Sequence, residues 1–599
     1  MSTTEPTQTQ TQIIPPAPAA LVPENGTKKP KLTGRAFYTS LGSPRVVIAP
    51  MVDRSEFAWR MLTRSFMPGL HSTDNGGNPV LAYSPMFHAR LFNETAGYRA
   101  QHFEALKPDG STRHLDGNPA FDRPLIVQFC ANDPAELLAA ARQVQDHCDA
   151  VDLNLGCPQG IAKRGHYGAF LQEDWDLIWR LIRTLRDGLD VPVTAKFRIQ
   201  ESKEKTLEYA RMILDAGASV ITVHGRRREQ KGHNTGLADW GYIRYLRDKL
   251  PGDTVIFANG NVLNYGDVAR CLEETGADAV MSAEGNLSDP TIFAGPPGES
   301  VGEEERKRMY WVGRDGRGGY RLDFVLRRYM DIIHEHVLER EKPVRKPLYV
   351  PGDPPSTTTQ PPSQPEPEPQ SQPPPPEADN EGKQNEEQPH PDEPPKKKLK
   401  PTPETQPQPQ PPNRNQPQNP KQKQKQKKNY TKPTSPNLTA MQGHLFQLLR
   451  PLISHKPYTH IRDALARCRA GDIDAFENVV RMVEGAVEEG VRGYFEHGTL
   501  PEGYIDHEEG GVVGEEGGMS DVERTRRLVR RPWWVCQPYV RPLPEEAAAR
   551  GALREKQKKE NQGECGGDGC AEPAKENVEP ESETANEAAN ANVNAEKAG

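Results

Sequence analysis

A single cysteine follows a strand-like run in the stretch DLNLGCPQGIAKRGHYGAFL, residues 152–171. The run VDLNL ends just before Gly156, and Cys157 comes next, with Lys163 and Arg164 close behind it. A thiol at the end of a strand can serve as a proton donor, as a nucleophile or as a metal ligand. None of the eight cysteines forms a pair with zinc-finger spacing, so the sequence predicts no metal site.

Polar residues end most of the other strand-like runs. A buried polar side chain needs a partner or costs free energy, and a large polar ligand lying across these strand ends would supply partners for all of them. The last two runs end in the small residues ANGN (258–261) and AEGN (283–286), where a backbone can approach a phosphate closely. A buried lysine could neutralise charge on a bound ring, and a histidine could donate to it. The pattern favours a phosphate-bearing ring cofactor such as flavin mononucleotide (FMN). The residues concerned are Met51, Gln128, Asn154, Lys196, Arg198, His224, Asn259, Asn261 and Glu284.

Eight β-branched or apolar runs alternate with helix-period segments over about 250 residues, which is the pattern of a (β/α)₈ TIM barrel. The alternative is an open doubly wound sheet, which usually carries a glycine-rich phosphate loop, and no GxGxxG occurs here. Several helix candidates open with Asp, Ser or Asn, the residues that cap a helix start. The runs are VVIAP (46–50), PVLAYSP (79–85), PLIVQFC (124–130), AVDLNL (150–155), PVTAKFR (192–198), SVITVHG (219–225), TVIFANG (254–260) and AVMSAEG (279–285).

The chain outside the barrel divides by composition. A low hydrophobic content of 34% and 58 prolines indicate long segments that cannot bury a core. Segments with helical periodicity lie on both sides of a Pro/Gln/Lys-rich stretch. They predict one small helical domain that is interrupted by a long disordered insertion. The apolar segment RRPWWVCQPYVRP predicts docking onto a folded surface. The predicted parts are a disordered segment at 1–35, the barrel at 36–296, the helical domain at 297–350 and 437–500, the linker at 351–436, a docking segment at 501–545 and a disordered tail at 546–599.

Location and assembly are predicted from what the sequence contains. The scattered cysteines are typical of a reducing compartment. No secretory signal and no membrane-spanning stretch is recognised, so the prediction is a cytoplasmic or nuclear protein with no membrane contact. The run PPKKKLK (394–400) is either a nuclear import signal or linker charge, and KQKQKQKK (421–428) either attracts RNA phosphate or is a solvated linker. We expect a monomer with no obligate protein partner.

Several motifs, in order over about 45–295, resemble those of the tRNA-dihydrouridine synthases. The variant SAEGNL (282–287), where many relatives have a Gly-Arg pair, resembles the eukaryotic branch that acts on tRNA positions 16 and 17, as do MQGHLF (441–446) and the terminal WVCQPYVRP. The long insertion departs from the usual compact length of that branch. The motifs shared with the family are LNLGCPQGIAKRGHYGAFL, APMVDRSEFAWRML, QFCAND, AKFR, VHGR and ANGN.

The resemblance implies a reaction. The C5=C6 bond of a tRNA uridine would be reduced by a hydride from N5 of reduced FMN to C6, with NADPH or NADH as the reductant. Cys157 resembles the general acid that protonates C5 from the opposite face, a role that requires a protonated thiol. The implied substrate contacts are Asn154, Arg164 and Arg198. The implied cofactor contacts are Pro50, Met51, Gln128, Lys196, His224, Asn259, Gly260, Asn261, Ala283, Glu284 and Gly285.

Alternatives remain at two levels. Asn154 could instead cap the end of its strand, and His224 could be a structural histidine. For the whole chain, one alternative is a flavin barrel that acts on a free base, such as a dihydroorotate or dihydropyrimidine oxidoreductase. The other is a non-catalytic tRNA-binding protein built on a barrel that has lost its activity. Activity on a mononucleotide would favour the first, and absence of bound flavin would favour the second.

Overall fold

A computed structural model describes most of the two regions on either side of the insertion. The runs PPKKKLK and KQKQKQKK and the predicted tail at 546–599 lie outside the described residues. The described ranges are 31–67, 79–313, 316–353, 435–498 and 531–541.

Eight parallel strands form a closed barrel in which each strand pairs with the next and the last pairs with the first. Each of the eight predicted runs forms one of these strands. The (β/α)₈ prediction is therefore confirmed, and the doubly wound alternative is wrong. The second strand continues to His88, beyond the predicted run, through an irregular register between Tyr83 and Met86. The strands are β1 (Val46–Ile48), β2 (Val80–His88), β3 (Leu125–Cys130), β4 (Ala150–Leu155), β5 (Val193–Arg198), β6 (Val220–His224), β7 (Ile256–Asn259) and β8 (Ala279–Ser282).

Helices connect the strands around the outside of the barrel. Three begin at residues of the expected capping types, since the side chains of Asp133, Asp174 and Ser202 accept hydrogen bonds from backbone N–H groups three residues on. A 3₁₀ turn, Gly232–Asn234, lies between β6 and the next helix. The helices are α1 (Gly34–Ser40), α2 (Phe57–Arg64), α3 (Ala89–Glu94), α4 (Ala96–His102), α5 (Pro134–Arg142), α6 (Gly160–Gly165), α7 (Trp175–Gly188), α8 (Lys203–Ala216), α9 (Trp240–Lys249), α10 (Tyr265–Thr275) and α11 (Glu284–Ser288).

Helix α1 belongs to the barrel, and it begins two residues before the predicted domain start at 36. Its buried Phe37 and Tyr38 share a hydrophobic cluster with Phe257 and other residues of the barrel strands. The Tyr38 hydroxyl donates to the carbonyl oxygens of Pro44 and Asp278. These contacts explain why α1 packs as part of the barrel although its sequence is polar.

The helical region has one core built from both sides of the insertion. Tyr329 before the insertion and Phe476 after it are fully buried in the same cluster as Trp59 of α2. The fold prediction, a barrel followed by an interrupted helical domain, is confirmed. No helix of the described residues combines the length and apolarity needed to cross a membrane. The elements are α12 (Glu303–Met309), β9 (Tyr310–Val312), β10 (Gly318–Tyr320), α13 (Leu322–Ile332), a π-helix (Ile333–Val337), α14 (Pro436–Leu448), α15 (Arg450–Ile453), α16 (Thr459–Arg467) and α17 (Ile473–His497).

Residues 531–541, which we call the C-terminal segment, pack against this helical core. The N–H of Leu322 donates to the carbonyl of Trp534, and the N–H of Cys536 donates to the carbonyl of Tyr320. Trp534 is fully buried, and a Cβ added at Gly490 of α17 would lie 2.6 Å from its ring. A glycine at this position of α17 therefore lets the segment approach closely.

Glu104 joins the start of α14 to the barrel and gives the fold a pH dependence. Its carboxylate accepts hydrogen bonds from Ser435 and Asn437, at 2.7 and 2.9 Å. Burial nevertheless raises the pKa of Glu104 to about 7. The folded protein holds a proton here that the unfolded chain releases, so the free energy of unfolding should fall as pH rises from about 4.5 to about 7.

Glu104→Gln is expected to remove this part of the pH dependence, because a neutral amide oxygen can still accept both hydrogen bonds. Relative to the wild type, the variant should gain about 1–3 kcal/mol at pH 8 and little at pH 5. Urea unfolding at both pH values measures the difference. Parallel stability curves for the two proteins would contradict the assignment.

Candidate active site

Polar side chains from adjacent strands meet inside the mouth of the barrel. The strand register pairs Gln128 with Asp152 and Asp152 with Thr194. The same register pairs Asn154 with Lys196. Because paired residues on neighbouring parallel strands lie side by side, these groups form a continuous polar layer rather than isolated positions.

Gln128 is at the centre of a buried hydrogen-bond chain. Asn154 Nδ2 donates to Gln128 Oε1 at 2.8 Å, and Gln128 Nε2 donates to Asp152 Oδ2 at 2.8 Å. The Thr194 hydroxyl donates to the other oxygen of Asp152 at 2.6 Å. Burial raises the pKa of Asp152 to about 6. This chain fixes the orientation of the Gln128 amide at the floor of the mouth.

Asp152 was missed in the sequence, although Gln128, Asn154 and Lys196, which also precede the last residue of their strands, were recognised as candidates. The available signal was the alternation in VDLNL, because Asp152 and Asn154 are two residues apart and face the same side of β4. A carboxylate in an otherwise apolar strand needs partners from neighbouring strands, and Gln128 and Thr194 are those partners.

The loop that carries Cys157 is held by its backbone. Asn154 Oδ1 accepts hydrogen bonds from the N–H groups of Gly156 and Cys157, at 3.1 and 2.9 Å. Arg198 Nε donates to the Gly156 carbonyl at 2.8 Å. Gly168, with φ of 65°, passes so close that an added Cβ would lie 2.9 Å from the Cys157 carbonyl oxygen. Cys157 itself is partly exposed on this anchored loop.

Two predicted substrate contacts therefore already have protein partners. Both ends of the Asn154 amide are engaged, which supports the alternative that this residue caps the end of its strand. Arg198 also donates from Nη1 to the Arg227 carbonyl at 3.0 Å. Burial lowers the pKa of Arg198 to about 10. We infer that Asn154 and Arg198 position the Cys157 loop.

Lys196 connects the centre of the mouth with β7. Its ammonium donates to Asn259 Oδ1 at 2.9 Å, and Asn259 Nδ2 donates to the Met281 carbonyl at 3.0 Å. Burial and the neighbouring Arg198 lower the pKa of Lys196 to about 8. Lys196 therefore remains mostly charged at pH 7. A negative charge on a group bound beside it would stabilise the charged ammonium.

His224 is neutral in this environment. Burial and the nearby Arg198, Lys196 and Arg226 lower the pKa of its imidazole well below the ordinary value. Arg226 Nη1 lies 2.9 Å from His224 Nε2, and since a guanidinium only donates, Nε2 accepts and the proton is on Nδ1. His224 can therefore donate one hydrogen bond from Nδ1.

The ends of β7 and β8 pack closely. Asn261, at φ of 60°, accepts from Arg226 at 2.7 Å and bonds the backbone of Ala238 in both directions. Added Cβ atoms at Gly260 and Gly285 would lie 2.6 Å from Ala238 Cβ and 2.5 Å from the Val262 carbonyl oxygen, respectively. Close packing within the protein thus accounts for both glycines, and the Asn261 side chain is engaged by the protein.

The remaining predicted residues lie around the rim. Pro50 and Met51 are partly buried just after β1, and the Met51 N–H donates to the Ser55 hydroxyl at 3.0 Å. Ala283 caps α11, and Glu284 in its first turn is half exposed and forms an ion pair with Arg541 of the C-terminal segment. Arg164 is exposed in the last turn of α6.

Positive charge exceeds negative charge at the mouth. Lys196, Arg198, Arg226 and Arg541 all lower the pKa of His224. Among the described residues, the carboxylates near these four cations are three: Asp152, Glu229 and Glu284. A buried surplus of cations requires an anion, and the phosphate of a cofactor would supply it. The donor set therefore fits a phosphate-bearing cofactor, and the described residues contain no cluster of His, Cys, Asp and Glu suited to a metal ion.

Comparison with known proteins gives consistent matches. A family model described as dihydrouridine synthase matches residues 47–345. The tRNA-dihydrouridine(16/17) synthase [NAD(P)(+)] of Saccharomyces cerevisiae is 39% identical, over 88% of this chain and 90% of the relative. Its Schizosaccharomyces pombe counterpart is 36% identical, over 86% and 92%. A mouse protein named as similar to these enzymes is 49% identical over 44% of this chain and 51% of its own length.

Proposed function

The chain belongs to the dihydrouridine synthase family, and from that premise we propose that it is a flavin-dependent oxidoreductase that reduces uridine in tRNA at positions 16 and 17. The observation that carries the proposal is the partly exposed Cys157 on an anchored loop beside a cationic polar layer. The positions follow the names of the two yeast relatives. NADPH or NADH is proposed as the reductant on the same basis.

FMN is the proposed cofactor, because the surplus of positive charge and the polar layer suit a phosphate and a polar ring. The chemistry that FMN would supply, once bound and reduced, is hydride donation to the uracil. Lys196 and His224 would hold the ring, with the ammonium offering positive charge and the imidazole donating from Nδ1. Gln128 would offer a fixed amide at the floor of the site, because its orientation is set by Asp152 and Asn154.

Cys157 is the proposed general acid. Reduction at C6 leaves C5 in need of a proton, and the Cys157 Sγ–H would provide it. Three backbone anchors hold the loop, from Asn154, Arg198 and Ala169, so that the thiol reaches the same point in each turnover. The mechanism assigns Asn154 and Arg198 a positioning role.

The tRNA would contact the exposed cations around the mouth. Lys163 and Arg164 in the last turn of α6 are exposed directly behind the Cys157 loop, where they suit phosphate oxygens. A uracil inside a folded RNA has to leave its stack to reach the thiol. A substrate of this size accounts for the basic loop better than a free base, which needs no contact outside the barrel.

The expected result is a purified protein that contains FMN, oxidises NADPH or NADH, and reduces uridine in tRNA but not in uridine monophosphate. Flavin absorbance measures the FMN content, the absorbance of the reduced nicotinamide measures its oxidation, and nucleoside mass spectrometry measures the reduction of uridine. Reduction of the mononucleotide with full efficiency would favour a free-base oxidoreductase. Protein that binds tRNA but no flavin would favour the non-catalytic alternative.

A further inference from the structure

The C-terminal segment sends an arginine into the mouth of the barrel. The Tyr539 N–H donates to the carbonyl of Leu263, just after β7, at 3.3 Å. Two residues later, the side chain of Arg541 is only 7% exposed and forms an ion pair with Glu284 at the start of α11. Two residues of a segment from outside the barrel thus reach the two strand ends where the sequence predicts the phosphate.

Arg541 has donor capacity that the described residues leave unused. Its Nε is buried and has no hydrogen-bond partner among them. The carboxylate it meets belongs to Glu284, whose side chain is 50% exposed. A guanidinium carries five N–H donors, more than one such carboxylate can satisfy. A buried, unpaired donor is costly, which indicates that a further acceptor belongs at this position.

The charges around Arg541 point to an anion as that acceptor. Burial, together with Arg541 and Arg198, lowers the pKa of Arg226 to about 9, so the two guanidinium groups of Arg226 and Arg541 repel each other. An anion bound near both guanidinium groups would offset their mutual repulsion. Glu284 on its own would repel a phosphate at this end of the mouth, and its pairing with Arg541 cancels that repulsion.

Resting on the proposed flavin cofactor, we propose that Arg541 binds the phosphate of FMN and that the C-terminal segment must be docked for the protein to retain its cofactor. The phosphate, rather than the ring, is the target because Arg541 contacts Glu284, which follows β8, and Tyr539 of the same segment contacts Leu263, which follows β7. The ring is assigned to Lys196 and Gln128 on β5 and β3. Cofactor retention would then depend on a segment almost 250 residues beyond the last barrel strand in sequence.

Arg541→Ala in the full-length chain tests this assignment through ligand affinity rather than activity. FMN and riboflavin, which lacks the phosphate, are titrated into flavin-stripped protein and followed by fluorescence. We expect the dissociation constant for FMN to rise roughly 10- to 100-fold, because the variant loses charge-assisted hydrogen bonds to the phosphate. The dissociation constant for riboflavin should stay within about twofold of its wild-type value.

A control variant separates a local effect from a general one. Arg244→Ala removes an exposed arginine of α9 that pairs with Asp248, and it should leave both affinities unchanged. Thermal unfolding of each apoprotein shows whether the variant is folded.

An FMN affinity that Arg541→Ala does not change would overturn the assignment. Equal weakening of FMN and riboflavin would overturn it as well, because a phosphate contact cannot act on riboflavin. Wild-type protein that binds neither flavin would instead overturn the proposed function, and the assignment of Arg541 with it.

Discussion

Replacing Cys157 with alanine is expected to lower dihydrouridine formation in tRNA by roughly 10²- to 10⁴-fold, the usual contribution of a general acid. Alanine has no proton to give to C5 of the uracil, and the loop would remain in place because its anchors are backbone groups. Cys157 itself is partly exposed on this loop. Steady-state rates with saturating tRNA measure the effect.

The kinetic pattern distinguishes this role from a structural one. We expect kcat to fall while KM for tRNA and flavin content stay near wild type, because the thiol is assigned to proton transfer and not to binding. Cys157→Ser should also be poorly active, since a hydroxyl is a much weaker acid. Cys271→Ala is the matched control, as it removes a buried thiol of α10 on the outside of the barrel. Wild-type turnover by Cys157→Ala would remove the residue from its role.

Asp122→Asn is expected to lower the free energy of unfolding by about 3–5 kcal/mol, the cost of breaking a buried ion pair from one side. Asp122 is fully buried and accepts hydrogen bonds from Arg60 and Arg64 of α2, which are themselves buried. Burial alone would raise the pKa of Asp122, but the two guanidinium groups outweigh it and hold the pKa below its ordinary value. The substitution leaves both arginines short of a counter-charge.

The measurement is urea unfolding at pH 7, followed by circular dichroism. Asp187→Asn is the matched control, because Asp187 pairs with Arg183 on the surface of α7 and should cost less than about 0.5 kcal/mol. The direction in which this stabilisation changes with pH also follows. Because the folded-state pKa of Asp122 is lowered, its contribution is present above pH 4 and is lost on further acidification. A loss of under about 1 kcal/mol for Asp122→Asn would contradict the account.

The barrel could be predicted from the sequence because the periodicity of apolar residues shows directly which positions of a strand or helix are buried. Each predicted run became a strand, and the polar residues at the strand ends, such as Lys196 and His224, came together in one mouth. Closure of the sheet explains this, since the carboxyl ends of parallel strands in a barrel all face one side. Knowing the strands was enough to know which residues would meet.

Other features depend on contacts that a linear pattern does not contain. The sequence did not show that the Asn154 amide binds Gln128 and the backbone of the Cys157 loop, or that the Asn261 amide binds Arg226 and the backbone of Ala238. The approach of Arg541 to Glu284 joins residues separated by 257 positions and follows from the docking of the C-terminal segment. The aromatic composition of this segment predicted that it docks on a folded surface, but it did not indicate where Arg541 would lie.

The most direct test of the central claim is to incubate the full-length protein with NADPH and unmodified tRNA and to map dihydrouridine by mass spectrometry of nuclease fragments. The account predicts dihydrouridine at positions 16 and 17 from the wild type, with product strongly reduced for Cys157→Ala. Flavin-loaded wild-type protein that yields no dihydrouridine in tRNA would contradict it.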